Sequence, residues 1–269
     1  MARRIVVVVK HVPNIHSDRA FADGRTVRGA EDGSLNELDE HPVEEAVRIL
    51  EGLGEDERAA SEIIVVTVGP AEAVDALRRA FQLGATTAVH VCDDALAGSD
   101  YAGTARALAA AVRRIAADGP VDLVLAGMAA LDGLGSVVPA LLAAELGLPQ
   151  LTNAGRLELD GPTARVERVV DGATEVLEAP LPAVVSVNDH INRPRFPNFK
   201  LIMAARTKPV TTWTLADLGI DEDEVGEAGA RTRVLTAEPR PERAPVEIHV
   251  DAGSGGEALV DFLVRRGLV

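Results

Sequence analysis

EIIVVTVGPAEAVDALRRAFQLGATTAVHVC, residues 62–92, holds one complete strand–helix–strand unit and decides the fold. Residues 63–68, apolar but for Thr67, read as a buried strand closed by Gly69-Pro70. Residues 71–83 are apolar at helical spacing and stop at Gly84, a residue suited to a C-cap. Residues 88–92, apolar but for His90, read as the next strand. Strands that are apolar throughout, without alternation, belong to a parallel sheet covered on both faces by helices. The right-handed crossover between such strands follows from their twist.

The same unit recurs outward in both directions. Upstream, residues 5–9 read as a strand and 42–53 as a helix, with Val43, Ala46, Val47 and Leu50 on one face and Pro42 in the first turn. Downstream come a long Ala-rich helix at 102–117, a strand at 123–126 and a helix at 136–146 stopped by Gly147 and Pro149. This alternation predicts an α/β domain with a mostly parallel sheet. After Pro149 the texture changes. Residues 157–159, 164–169 and 174–177 alternate in polarity between the turns Asp160-Gly161 and Asp171-Gly172, which predicts a small antiparallel flap. Residues 183–187 regain buried-strand character and are expected to close the main sheet. From Asp221 the chain is acidic and Gly/Pro-rich up to a short terminal helix at 258–264. The expected organisation is an α/β domain over 1–220 and a C-terminal arm with a short helix over 221–269.

Composition narrows the function. The 269 residues carry 42 acidic and 27 basic side chains, a formal net charge of −15, so a bulk electrostatic grip on nucleic acid is not expected. No run of roughly 18 apolar residues is present, so no membrane insertion is expected. MARRIVVVVK reads as a first strand and not as an export signal, and a cytoplasmic location is expected. A single cysteine, Cys92, excludes a disulfide framework and reads as a core thiol.

Familiar catalytic signatures are missing. The loop after the first strand is KHVPN, not a Gly-x-Gly-x-x-Gly fingerprint. There is no phosphate loop of the Walker type, no Gly-x-Ser-x-Gly elbow and no histidine pair at i, i+4. The loop after the fourth strand, GMAALDGLGSVVP at 127–139, is the best ligand candidate. Gly127, Gly133 and Gly135 let backbone approach a ligand, and Ser136 stands where the next helix would begin. The same glycines also suit a plain strand-to-helix turn. Asn36 and Asp39 suit helix capping or ligand contact, and Val8 suits core or nucleotide contact. The segment DHINRPRFPNFKLIMAARTKP, 189–209, has Arg193, Arg195, Lys200, Arg206 and Lys208 with no acidic residue after Asp189. Phe196 and Phe199 in this Pro-rich loop either anchor a partner or pack inward. His190 reads as structural.

These residues resemble the beta subunit of electron transfer flavoprotein. The most specific piece is PAVVSVNDHINRPRFPNFKLIMAARTKP, 182–209, supported by VVVVKHVP, LNELDEHPVEEAVRI, VVTVGPAEAVDALRRAFQLGA and TLADLGI. The resemblance implies a Rossmann-like, adenine-nucleotide-binding fold and an electron carrier subunit with no catalytic residue of its own. It implies an alpha subunit that holds most of a redox FAD, and AMP in this chain. The implied AMP contacts are Val8, Asn36, Glu37, Leu38, Asp39, Val68, Gly127, Met128, Ala129, Ala130, Leu131, Asp132, Gly133, Leu134, Gly135, Ser136, Val137 and Val138. Met128, Leu134, Val137 and Val138 replace polar residues of the family's commoner loop, so contact relies on backbone N–H groups, Asp132 and Ser136. Bifurcating relatives hold a second FAD in this pocket. The implied partner-recognition segment is Arg195, Phe196, Pro197, Asn198, Phe199, Lys200, Leu201, Ile202, Met203 and Ala204, with Phe199 where a Leu is usual. Implied partners are flavoprotein dehydrogenases such as acyl-CoA dehydrogenase as donors, and a membrane quinone oxidoreductase as acceptor. Two other readings are a stand-alone adenine-nucleotide-binding α/β enzyme and a stress-type nucleotide-binding module. The first wants a Ser/Gly-rich loop after the first strand, and the second has no use for 195–204.

Overall fold

A computed structural model describes residues 2–17, 20–22, 24–28, 33–238, 240–241, 245–246 and 248–269. Strand β1 (Arg4–Val8) is followed by two short antiparallel pairs, β2 (His11–Pro13) with β5 (Gly33–Leu35), and β3 (Phe21–Ala22) with β4 (Arg25–Thr26). Helices α1 (Glu37–Glu51) and α2 (Glu55–Ala59) lead to β6 (Glu62–Val68), α3 (Val74–Leu83) and β7 (Thr87–Val91). Helix α4 (Tyr101–Ala117) crosses back to β8 (Leu123–Gly127), and α5 (Val138–Leu146) leads to β9 (Gln150–Ala154). The flap is β10 (Arg156–Asp160), β11 (Thr163–Val170) and β12 (Ala173–Pro180), antiparallel as expected. Then come β13 (Ala183–Val187), α6 (Phe199–Thr207), β14 (Thr211–Trp213), α7 (Leu215–Leu218) and α8 (Gly226–Gly229).

The main sheet has seven strands in the order β14-β7-β6-β1-β8-β13-β9, and every pair in it is parallel. Strand β13 does not close the sheet. Residues 150–154, not expected as a strand, pair outside it, and Thr211–Trp213 forms the opposite edge. The period of two along each strand divides two cores. Ile5, Val7, Ile63, Val65, Leu123 and Leu125 share one core with Val43, Val47 and Leu50 of α1 and Leu77 and Phe81 of α3. Val6, Val8, Ile64, Val66 and Val124 share the other with Leu108, Val112 and Ile115 of α4 and Leu142 of α5. Each such side chain, fully buried, contributes about 1.5–3 kcal/mol.

Two compact units divide the chain, 1–235 and 236–269. Within the first, Val225 is fully buried, Gly226 N–H donates to Ser99 Oγ, and Asp100 accepts from the N–H groups of Arg231 and Thr232. The second unit contains helix α9 (Gly255–Arg265), which leaves Leu259, Val260 and Val264 exposed. Residues 239, 242–244 and 247 of the expected arm lie outside the described residues. Among the described residues, no helix is long and apolar enough to cross a membrane, and no cluster of acidic, histidine and cysteine side chains has metal-binding geometry.

Candidate functional site

Open parallel sheets receive ligands outside the carboxyl ends of their strands, at the point where successive crossovers leave to opposite faces. That point is the β1–β8 pair. From β1 the chain runs through α1 and α3 on one face to β6 and β7; α4 then returns it across the other face to β8. Val8 ends β1, Gly127 ends β8, residues 128–137 follow, and Asn36 to Asp39 open α1. The expected nucleotide residues are therefore gathered at one edge, with Val68 at the end of β6, next to β1. The Val8 side chain is buried in the α4-side core, so its offer to a ligand is backbone.

Asn36 occupies the N-cap position of α1, yet its side chain makes no capping bond. It is fully buried; Nδ2 donates to the Ala129 carbonyl at 2.9 Å, and Oδ1 accepts from Leu131 N–H at 3.1 Å. An amide satisfied at both ends by one loop fixes that loop's backbone. Asn36 thus ties α1 to the 127–138 loop.

Helix α1 starts at Glu37, five residues before the expected Pro42, and Pro42 lies inside it. Proline has no N–H, so the Leu38 carbonyl loses its helical donor. A Cβ on Gly127 would lie 2.7 Å from that Leu38 oxygen and would overlap the Asp39 carboxylate. Only glycine admits this approach. Asp39 Oδ2 accepts from Lys10 N–H at 2.8 Å. Burial pushes the Asp39 carboxyl up to about 7, against the opposing pull of the Lys10 N–H, Asn36 and the Lys10 charge.

The loop then leaves the core. Leu134 and Ser136 both adopt positive φ, 47° and 55°, and Leu134 is 64% exposed. Helix α5 begins at Val138, so Ser136 precedes the helix and does not open it. A Cβ on Gly135 would overlap the ring of Tyr101, which stands at the start of α4. Glu37 is exposed and Leu38 half-buried at the same edge.

Asp132 is held more tightly than its sequence context shows. Its side chain is fully enclosed; Lys10 Nζ lies 2.9 Å from Oδ1, while Arg28 Nε donates to Oδ2 at 2.8 Å and Arg28 Nη2 donates to the same oxygen. Burial alone would raise this carboxyl; the charges and hydrogen bonds of Lys10 and Arg28 outweigh it and keep the group below the usual carboxylate range. Lys10, Arg28 and Tyr101 were not expected here. Lys10 belongs to the KHVPN loop, where a lone lysine carries no pattern. Arg28 is 104 residues from Asp132 in the chain.

The second expected site, 195–204, lies in a segment that is fixed to the rest of the fold between 192 and 208. Asn192 is buried, with Nδ2 donating to the His41 carbonyl and to Glu45 Oε2, both at 3.0 Å. Arg195 pairs with Glu44 and Glu51 of α1. Asn198 caps α6 by accepting from Leu201 N–H at 2.9 Å. Arg78 of α3 donates to the Ala205 and Lys208 carbonyls at the other end. The segment expected as a Pro-rich loop is therefore half helix, because Asn198 supplies a cap and FKLIMAART has no breaker. Phe196 is 95% exposed and Phe199 77%, so neither ring packs inward; Met203 is exposed beside them.

Comparison with known proteins gives a consistent result. Residues 24–218 match the electron transfer flavoprotein domain family. The chain is 45% identical to the electron transfer flavoprotein subunit beta of Mycobacterium leprae, covering 98% of this chain and 99% of that one. The Mycobacterium tuberculosis subunit beta is 44% identical over the same shares. That of Thermoanaerobacterium thermosaccharolyticum is 33% identical, over 89% of this chain and 90% of that one.

Proposed function

Because this chain belongs to the electron transfer flavoprotein family, as a beta-subunit-type member, we propose that it relays electrons as the nucleotide-stabilised half of an alpha–beta pair. It is an electron carrier subunit and not an enzyme with its own substrate. The finer reading is that AMP occupies the β1–β8 crevice and that 195–204 receives a flavoprotein dehydrogenase.

One observation carries the nucleotide reading. Asn36, Asp39 and Gly127 lock the loop after β8 to α1 at the switch point, while 133–137 are half-buried or exposed. This loop has no lysine or arginine, and its exposed part is glycine, serine and aliphatic residues. The Gly133 and Leu134 N–H groups are given to the Ala130 carbonyl; the backbone N–H groups of Gly135 and Ser136 beyond them suit a phosphate, and the apolar side chains of Leu134 and Val137 suit the face of a base.

The redox chemistry is supplied by a flavin, which we place mainly on the alpha subunit as FAD. In this chain no acid, base or nucleophile is needed. Its residues bind, orient and dock. Phe196, Phe199 and Met203 are exposed along one segment that also exposes Arg193, Lys200 and Arg206, and we read them as an apolar patch with charged neighbours. Such an arrangement fits an apolar pocket ringed by carboxylates on a dehydrogenase, of which acyl-CoA dehydrogenases are the expected examples, with a quinone oxidoreductase downstream. The C-terminal unit, with Val246, Ile248, Val250 and the apolar residues of α9 exposed, is assigned to the alpha subunit. We place the pair in the cytoplasm.

Mass spectrometry of the ligands released from the purified alpha–beta pair tests this reading. The expected result is one AMP and one FAD per pair. Two FAD and no AMP would move the chain to the bifurcating type, and a colourless chain without nucleotide would remove both assignments.

A further inference from the structure

We infer that Lys10 and Arg28, held by Asp132, form an anion subsite that receives the phosphate of the nucleotide at the β1–β8 crevice. The inference rests on the nucleotide reading above and adds two residues from outside the loop.

Position comes first. Lys10 lies two residues beyond β1, and Asp132 lies five residues beyond β8, the neighbouring strand. The Lys10–Asp132 pair therefore links the two sides of the crevice at its mouth. Lys10 is itself fixed, because its N–H donates to Asp39 and its carbonyl accepts from Asn36 N–H.

Charge comes second. At Asp132 one carboxylate faces two cations; the Asp39 carboxyl, which also acts on Lys10, is held toward its neutral form by burial and offsets only part of the positive excess. Asp132 is fully enclosed, whereas the Lys10 and Arg28 side chains are 42% and 34% exposed. The cations cover the carboxylate and present themselves to solvent. The chain as a whole carries −15, so a local positive excess runs against its average. The loop 127–138 has no cation of its own to offer a phosphate.

Donor count comes third. Arg28 uses Nε and Nη2 on Asp132, and Lys10 uses one of its three ammonium protons. The remaining Arg28 Nη1 edge and two Lys10 protons have no partner among the described residues. A carboxylate that fixes two cations while leaving donors free preorganises them for a second anion. In this arrangement Asp132 is a positioning residue and does not touch the ligand. The same geometry takes a mononucleotide phosphate or the adenylate end of a dinucleotide.

The test separates phosphate from adenosine. The full chain with its alpha partner, freed of nucleotide by dialysis, is titrated calorimetrically with AMP, adenosine and inorganic phosphate. Lys10→Met and Arg28→Met are each expected to weaken AMP about tenfold and leave adenosine within about twofold. Lys10→Arg is expected to restore most of the loss, Arg28→Lys only part of it because the fork on Asp132 is lost, and Asp132→Asn to loosen AMP but not adenosine. Equal weakening of AMP and adenosine, or no change in either, would overturn the subsite. Should wild type bind neither AMP nor adenosine, the nucleotide reading fails. Inorganic phosphate that binds in a Lys10- and Arg28-dependent way would then uphold the anion subsite alone, and its failure to bind would end both.

Discussion

Arg195 clasps the carboxylate of Glu44 at two points, with Nε 2.7 Å from Oε2 and Nη2 3.1 Å from Oε1. It clasps Glu51 in the same way, at 2.8 and 2.9 Å. The guanidinium fork matches a carboxylate bidentately, and here it matches two. The Glu44 side chain is only 8% exposed. Arg195 therefore anchors the expected docking segment to α1, and its charge is already paired. Removing it strands a nearly buried carboxylate. Arg195→Met is expected to lower stability by about 2–3 kcal/mol, and Arg195→Lys by about 1 kcal/mol because the fork is lost. Urea midpoints decide this; a midpoint unmoved by Arg195→Met would show that the clasp adds nothing.

The rings beyond the anchor behave differently. Phe196 and Phe199 are exposed, so alanine at either position removes no core contact. Stability is expected to stay within about 0.5 kcal/mol of wild type. With an acyl-CoA dehydrogenase as donor, Phe199→Ala is expected to raise the half-saturating concentration about tenfold with flavin content intact. Arg193→Gln, Lys200→Gln and Arg206→Gln act instead on the salt dependence of association. Identical donor titrations for Phe199→Ala and wild type would assign docking to another surface.

Much of this was legible in the chain. Five of the seven main-sheet strands read as apolar runs, since strands buried on both faces need no polar alternation. The two edge strands escaped for the converse reason. QLTNA and TTW are polar and short, and only pairing with β13 and β7 makes them strands. The glycine loop was visible because glycine announces close approach. Its supports were not: Asn36 looks like a cap in sequence, and nothing local distinguishes Lys10 or Arg28. Long-range ion pairs leave no periodic signature, so Asp132 looked available when it was already engaged.

Gly127 offers a sharp test of the loop's attachment. A methyl group there meets the Leu38 carbonyl at 2.7 Å, and backbone cannot rotate away as a side chain can. Gly127→Ala is expected to cost about 1–3 kcal/mol and to release bound nucleotide, because the shift breaks the Asn36 bonds to Ala129 and Leu131. Gly135→Ala also collides with Tyr101, yet that ring is 44% exposed and has room to move. The pair Gly135→Ala with Tyr101→Ala is expected to recover what Gly135→Ala loses. Nucleotide per polypeptide, measured in acid extracts, reports all three. Full nucleotide in Gly127→Ala would refute the attachment.

Asp39 sets a pH dependence whose sign follows from its burial. The carboxyl titrates at about 7 in the fold and near 3.8 when free, so between these values the folded chain holds a proton that the unfolded chain has released. Stability from this group is complete below about pH 4 and falls as pH rises through about 7, by about 1.4 kcal/mol per pH unit in between. His11 slopes the other way. Burial lowers its pKa below 6.5, so its contribution is lost as pH falls. The chain's acidity adds a further decline toward high pH, through self-repulsion. Comparing Asp39→Asn with wild type cancels both backgrounds. The variant is expected to gain on wild type between pH 5 and pH 8 by on the order of 2–3 kcal/mol, read from urea midpoints at the two pH values. Parallel stability curves for the two proteins would mean that Asp39 is ionised throughout and that the Lys10 N–H and Asn36 outweigh its burial.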